Sequence, residues 1–407
     1  MTSDLAQRVA LTIGALLLFR LGSYIPLPGI NAEAWEILAR SQGSGVATIF
    51  GASSGAARRL AIFALGIVPY VSAAVLVQLA TIFSSRLRAT AHDGERGRAA
   101  MVRYARYLAA LLATAQALAI ANALAQVSEV VTTPGPLFIV STVITLTGGT
   151  LFLAWLAEQI TARGIGNGIA LILFAGIAAD MPAALAYVLE LNRQYAISGT
   201  QILSLALIMI AITAAVVAME LARRKVSIIY CARQIGLRLF DEQLSYFYMK
   251  LNPAGIVPVL LASFVMSLLV AGVGFCAGFD SRWVEHLRPA GPVYLILYAL
   301  LVIFCTFFYT ASVLDPEESA DKLKTLGGRI ETVEPGEPTA AYLDQVVSRT
   351  ALLGGIYLAL VCLLLEILIH YAYVPLYFGG TALLIVVCTI LDLTTELRVR
   401  NSAPARS

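Results

Sequence analysis

Charge is scarce in this chain. Only 13% of its 407 residues are Asp, Glu, Lys or Arg, whereas 59% are hydrophobic, and the mean hydropathy is +0.82. That leaves too little polar surface to coat a globule in water, which excludes the soluble globular class. Cysteine is sparse too: Cys231, Cys276, Cys305, Cys362 and Cys388 are odd in number and unclustered. Neither a disulfide framework nor a zinc spacing is written there. Four of the five lie in or beside apolar runs, where cysteine behaves as a small hydrophobe. His286 and His370 fall at expected external ends of apolar runs, as surface residues and not as ligands. Paired catalytic carboxylates and a nucleophile–base constellation are both missing, which argues against covalent chemistry and against an intramembrane protease. No metal or cofactor is expected.

What the chain does have is ten apolar runs, near 10–27, 61–83, 107–125, 136–156, 165–189, 201–219, 253–277, 292–314, 351–373 and 375–391. Each approaches the roughly 20 residues of a transmembrane helix. The first lacks a small-residue cleavage site and reads as a retained span. With the N-terminus in the cytoplasm, ten spans return the C-terminus there, and 21 of the 28 Lys and Arg residues face that side. The positive-inside rule favours this orientation.

Two of the runs echo each other. Gly66-Ile-Val-Pro69 in the second run returns as Gly255-Ile-Val-Pro258 in the seventh. A proline in mid-helix removes a hydrogen bond and costs roughly 3 kcal/mol, and lipid does not satisfy the freed carbonyl. Broken segments at corresponding places in two halves point to a pathway between the halves. A second echo joins Gly168-Ile-Ala-Leu-Ile-Leu173 to Gly380-Thr-Ala-Leu-Leu-Ile385. Five spans per half invert the second copy, so the expected fold is an all-α integral membrane protein of two inverted five-helix halves, residues 1–195 and 196–407. The matching pairs Val71 with Leu260 and Leu173 with Ile385, all aliphatic. A secondary transporter would carry ionisable groups at this depth, and these segments carry none. An aliphatic constriction would dewet and resist ions while yielding to something large and chemically varied. From the residues alone, ordinary helix packing accounts for the same positions.

The connections are uneven. Residues 46–58, small and mildly apolar, are too short and too polar to span; composition favours a surface loop over a re-entrant piece. The loop after the second run holds six arginines, suited to topology and anionic lipid. Residues 220–251 mix Arg223, Arg224, Lys225, Arg233, Arg238 and Lys250 with Val226, Ile228, Ile229 and Tyr230, which predicts a projecting hairpin suited to an acidic partner. Residues 315–350 carry eight carboxylates, and their tip around Pro335 and Gly336 predicts helix, turn and return helix, a second finger.

At this point the residues are recognisable. FRLGSYIPLPGI (19–30), AIFALGIVPYVSAAVLVQL (61–79), LAEQITARGIGNGIALILFAGI (156–177), KLNPAGIVP (250–258), FFYTASVLDPEESADKLK (307–324) and VPLYFGGTALLIVV (374–387) follow one another in the order of a known family. Over about residues 10–398 the chain resembles the SecY family, the central subunits of the Sec protein-translocation channel.

The resemblance implies a channel in the cell inner membrane that passes unfolded polypeptides and releases membrane segments sideways into lipid. It implies a pore ring of Val71, Val75, Leu173, Leu260 and Ile385. It implies a plug at about 46–58, including Ile49, Phe50, Gly51 and Ala52, which reverses the surface-loop expectation. A lateral gate would involve Pro69, Gln78, Asn252 and Pro258. The implied partners are SecE and SecG, the SecA motor or the ribosome, signal-bearing polypeptides and membrane lipids, with no small-molecule substrate. Docking would use Arg223, Arg224, Arg233 and Arg238 with the tip at Glu334 and Gly336. Glu334 stands where the family commonly has Arg, and Ala232 and Leu237 stand where it is often basic. Those departures bear on motor docking and leave open a specialised paralogue or a membrane-insertion factor.

Overall fold

The computed structural model describes residues 3–31, 34–35, 60–91, 93–125, 130–133, 135–194, 198–230, 233–235, 238–240, 243–277, 286–287, 291–313, 316–325, 328–330, 333–334, 336–372 and 379–402. Every apolar run contributes a helix among the described residues. These are α1 (Ser3–Gly22), α2 (Val68–Phe83), α4 (Gly94–Ala125), α5 (Pro136–Arg163), α6 (Gly168–Arg193), α7 (Gly199–Leu221), α8 (Val257–Ala277), α9 (Pro292–Val313), α11 (Glu337–Ala372) and α12 (Gly380–Ser402). Two short helices join them, α3 (Ser85–Ala91) and α10 (Pro316–Thr325). Among the described residues, seven helices are long and apolar enough to cross a membrane; α1, α2 and α8 complete the set of ten. At 1.5 Å per residue, the 16 residues of α2 reach roughly 24 Å, short of the ~30 Å hydrocarbon core. Turns at 62–67 precede it, and a 111° bend separates it from α3.

Helix ends depart from the apolar runs where charge allows. α4 begins at Gly94 among arginines and α11 at Glu337 among carboxylates, so both project beyond their apolar stretches. Polar residues beyond the apolar stretch do not melt a helix whose i→i+4 ladder is already running.

Packing divides the chain into two groups. α1, α2, α4, α5 and α6 pack on one another, as do α8, α9, α11 and α12, with α7 against α12. The groups meet along two seams, α2 and α4 against α8 and α9 on one side, and α6 against α12 on the other. Arg20 ties α1 to α6 through an ion pair with Asp180 at 3.8 Å.

The polar connections form one platform, not two separate fingers. β1 (Arg223–Tyr230) pairs antiparallel with β4 (Gln243–Lys250), from Arg223↔Lys250 to Tyr230↔Gln243. A small inner hairpin joins β2 (Arg233–Ile235) to β3 (Arg238–Phe240). The other edge of β1 takes β5 (Gly328–Ile330) from the second loop, in the register Ile228↔Ile330 and Tyr230↔Gly328. Thus the expected helix–turn–helix at 315–350 includes a strand. The reason is shared burial: Val226 from the first connection completes a cluster with Ala320, Ile330 and Leu343 of the second.

Candidate functional site

The site begins with two helix starts that share one geometry. Gly66 has φ 63° and Gly255 φ 62°, left-handed values that a side chain would strain. Each glycine is followed two residues later by the first residue of a helix, α2 or α8, with Pro69 or Pro258 in its first turn. The proline therefore breaks no helix; the break lies before it, where its missing N–H is no loss. Ile67 O accepts from Tyr70 N at 3.1 Å and Val71 N at 3.2 Å, and Ile256 O accepts from Val259 N at 3.1 Å and Leu260 N at 3.2 Å. Val71 and Leu260 thus hold equivalent positions, one turn into their helices.

The second echo is also geometric. A Cβ on Gly168 would lie 2.0 Å from the Ala157 carbonyl oxygen, and one on Gly380 would lie 2.3 Å from Cys362 Cα. Each glycine lets the start of a helix press against the backbone of the helix before it. That contact sets the depth of Leu173 in α6 and Ile385 in α12.

Together these four helices bring aliphatic side chains into adjoining buried clusters. Val71, Leu260 and Ile385 are buried in a single apolar cluster, with Leu173 packed against it. Val75 is buried in the neighbouring cluster of the second group, with Val259 and Leu384. A cavity of ~100 Å³ adjoins these clusters, lined by Phe63, Ile67, Leu173, Leu260, Phe264 and Ile385 among others. It has room for a few waters and none for a polypeptide. Ile49, Phe50, Gly51 and Ala52 lie outside the described residues.

The family model for SecY matches residues 61–394, a span that contains Val71, Val75, Leu173, Leu260 and Ile385. The chain belongs to the SecY family. The protein translocase subunit SecY of Escherichia coli strain K12 is 40% identical over 405 residues, covering 97% of this chain and 91% of that protein. Its counterpart in Vibrio cholerae serotype O1 is 39% identical over 408 residues, with the same coverage. Among solved structures, one described as "The structure of a protein conducting channel" is similar with a TM-score of 0.72 at 19% identity, covering 99% of this chain and 95% of that one. Sec61 in a canine ribosome–channel complex from the endoplasmic reticulum is similar at 0.66 and 17%, with equal coverage. Across that low identity, what is shared is the fold.

In this SecY-family chain the seam between α2 and α4 and α8 and α9 is largely apolar, with Val75 and Leu79 of α2 buried in the cluster of the second group. Gln116 Nε2 in α4 donates to Ser267 Oγ in α8 at 3.4 Å. Phe83 at the end of α2 stacks on Phe308 of α9 at 5.7 Å. Each such contact is worth on the order of 1 kcal/mol. Ser263 of α8, bonded to Tyr298 Oη at 3.1 Å, lines the same cavity as Gln116 and Ser267. Reading the apolar runs one at a time passes over these residues; Ser263 and Ser267, four apart on one helix face, are the signal that was available.

Of the expected gate residues, Asn252 is 2% exposed and donates from Nδ2 to Glu220 Oε1 at 2.8 Å, at the foot of α7, and to Gly255 O at 3.2 Å, within its own turn. Gln78 is half-buried within α2. Pro69 and Pro258 are buried at the helix starts described above.

Around the platform, Arg223 and Arg224 are exposed at the base of β1. Arg233 pairs across its hairpin with Phe240, and Arg238 with Ile235. Tyr246 and Tyr248 are exposed with ring centroids 6.5 Å apart, and the Lys225 ammonium lies 5.9 Å above the Tyr248 ring. Alternation puts these groups on the face of the sheet opposite Val226 and Met249. Glu334 is exposed, its carbonyl accepting from Thr339 Oγ1 at 2.7 Å, and Gly336 takes φ 114° just before α11.

Proposed function

We propose that this chain is the channel-forming subunit of a protein translocase, passing unfolded polypeptides through the aliphatic constriction and releasing apolar segments through the α2/α4–α8/α9 seam. The observation that carries the reading is the constriction itself: four helix segments from two half-structures deliver uncharged aliphatic side chains to one closed point. Such a ring makes no sequence-specific hydrogen bonds, so it seals around any passing chain and excludes water when empty. Val71, Val75, Leu173, Leu260 and Ile385 form the ring, and Ile49, Phe50, Gly51 and Ala52 belong to the plug. The weak polar and aromatic contacts of the seam suit displacement by an apolar signal helix.

The chain supplies no driving force in this reading; the ribosome or a SecA-type motor does, docking on the platform of Arg223, Arg224, Arg233, Arg238, Glu334 and Gly336. SecE- and SecG-type subunits complete the complex in the inner membrane, with both termini in the cytoplasm. The half-structures are residues 1–195 and 196–407. Glu334 supports a second reading, a specialised paralogue or insertion factor with altered motor docking.

The test is ATP-dependent protection of a secretory precursor in proteoliposomes holding the chain, its own SecE and SecG and its host's SecA, with Glu334→Arg in parallel. Protection with the native chain supports general export. Transport by the Arg variant alone supports the specialised reading. Failure of both, together with failure of cotranslational insertion by correctly folded protein, refutes the channel.

A further inference from the structure

Three helices of the first group meet at one charged cluster that the constriction does not require. Tyr70 Oη in α2 donates to Glu158 Oε1 in α5 at 2.9 Å. Arg106 in α4 closes on the same carboxylate, with Nε donating to Oε1 at 3.0 Å and Nη2 to Oε2. Arg106 is the last charge before the apolar stretch of α4, and Glu158 the first charge in α5. Tyr70 is 5% exposed, and the ion pair lies at the group's outer edge, with the Arg106 side chain half-exposed. A two-pronged guanidinium–carboxylate pair is geometrically stiff, so Glu158 offers a fixed acceptor.

Tyr70 is the residue just before Val71. The N-cap of α2, Ile67, makes no side-chain hydrogen bond, and the chain before it is a run of turns that leaves Leu60 at φ 47°. Backbone bonds hold the turns before α2, from Ile62 N to Ile25 O and from Gly66 N to Phe63 O, and the first turn closes on Ile67 O. The Tyr70 hydroxyl adds a side-chain restraint to a second helix: with its ring anchored on α5, the helix turns Val71 into the constriction.

We propose that Tyr70 is a positioning residue for the closed constriction, a latch held by the Arg106–Glu158 bracket, whose release lets α2 rotate and the ring widen. The proposal rests on the channel reading above. The latch lies wholly within the first group of helices, so it acts separately from the seam contacts Gln116–Ser267 and Phe83–Phe308.

The experiment compares the native chain, Tyr70→Phe, Glu158→Ala and the double variant, reconstituted with partner subunits at matched abundance. Resting ion conductance, transport of a precursor lacking its signal sequence and amide hydrogen exchange over residues 68–72 are read together. Loss of a buried hydrogen bond to a charged group predicts about a tenfold rise in conductance and in exchange for Tyr70→Phe. Signal-less precursor should gain relative to intact precursor. The double variant should be no leakier than Glu158→Ala, because Tyr70 acts through Glu158. The charge swap Arg106→Glu with Glu158→Arg, which leaves Tyr70 an acceptor role toward the new arginine, should restore tightness. Unchanged exchange and conductance in Tyr70→Phe, or additive effects in the double variant, overturn the latch. If Tyr70→Phe does not accumulate, Glu158→Leu, which leaves the Tyr70 hydroxyl no acceptor there, takes its place: raised exchange at 68–72 supports the latch and unchanged exchange overturns it. Hydrogen exchange is measured without transport, so a native chain that moves no precursor refutes the channel reading while the exchange result still judges the latch.

Discussion

Leu260→Asn is the sharpest probe of the constriction. Leu260 is 6% exposed, in the first turn of α8, against Val71 and Ile385. Burying a leucine is worth about 1.5–3 kcal/mol relative to a wet environment, which is what an open pore offers. An asparagine amide held in the aliphatic ring without full partners costs about 1–3 kcal/mol in the closed state. Both effects weaken closure and spare the open state. Even the lower ends sum to roughly 2.5 kcal/mol, about sixtyfold in the open fraction at 1.4 kcal/mol per factor of ten. Single-channel recording in planar bilayers, at matched protein abundance, should therefore show resting conductance up by about that factor. Leu260→Ile conserves volume and polarity and should stay near native tightness. A Leu260→Asn channel as tight as the native one, or a Leu260→Ile channel as leaky as the Asn variant, would refute the claim that aliphatic closure seals this pathway.

Other consequences are as direct. Gly168→Val and Gly380→Val place atoms against backbone at 2.0 and 2.3 Å and should each cost more than about 1–3 kcal/mol, seen as a Tm lowered by several degrees in detergent. Gly148→Ala, with no heavy atom within 4 Å of its new Cβ, should hold Tm or raise it slightly, because alanine is favoured over glycine in a helix interior by about 0.5–1 kcal/mol. Gln116→Leu removes the 3.4 Å bond to Ser267, and membrane insertion of marginally apolar segments should rise by up to about fivefold, for roughly 1 kcal/mol of gate closure. Ile330→Asp puts a carboxylate into the buried layer under β1 and should detach β5, exposing that strand to protease and weakening partner docking; resting conductance should not change.

Sequence alone determined the class, the ten spans and the internal repeat. Hydrophobic length is a local property, read without knowing any contact, and the positions Val71, Leu260, Leu173 and Ile385 follow from two short echoes. It also misjudged what the prolines do. Pro69 and Pro258 looked like breaks in mid-helix because the apolar run continues through them; only the folded chain shows that the helices start there, behind left-handed glycines. Tertiary structure alone decided the partners of isolated polar residues. Asn252 turns to Glu220, Gln116 reaches Ser267 across 151 positions, and Tyr70 finds Glu158 88 residues away. It likewise merged two expected fingers into one sheet, because β5 is only three residues long and has no periodicity to announce it. Local pattern reports how a segment is solvated. A hydrogen bond between distant segments depends on where both are carried by packing, and that information is not local.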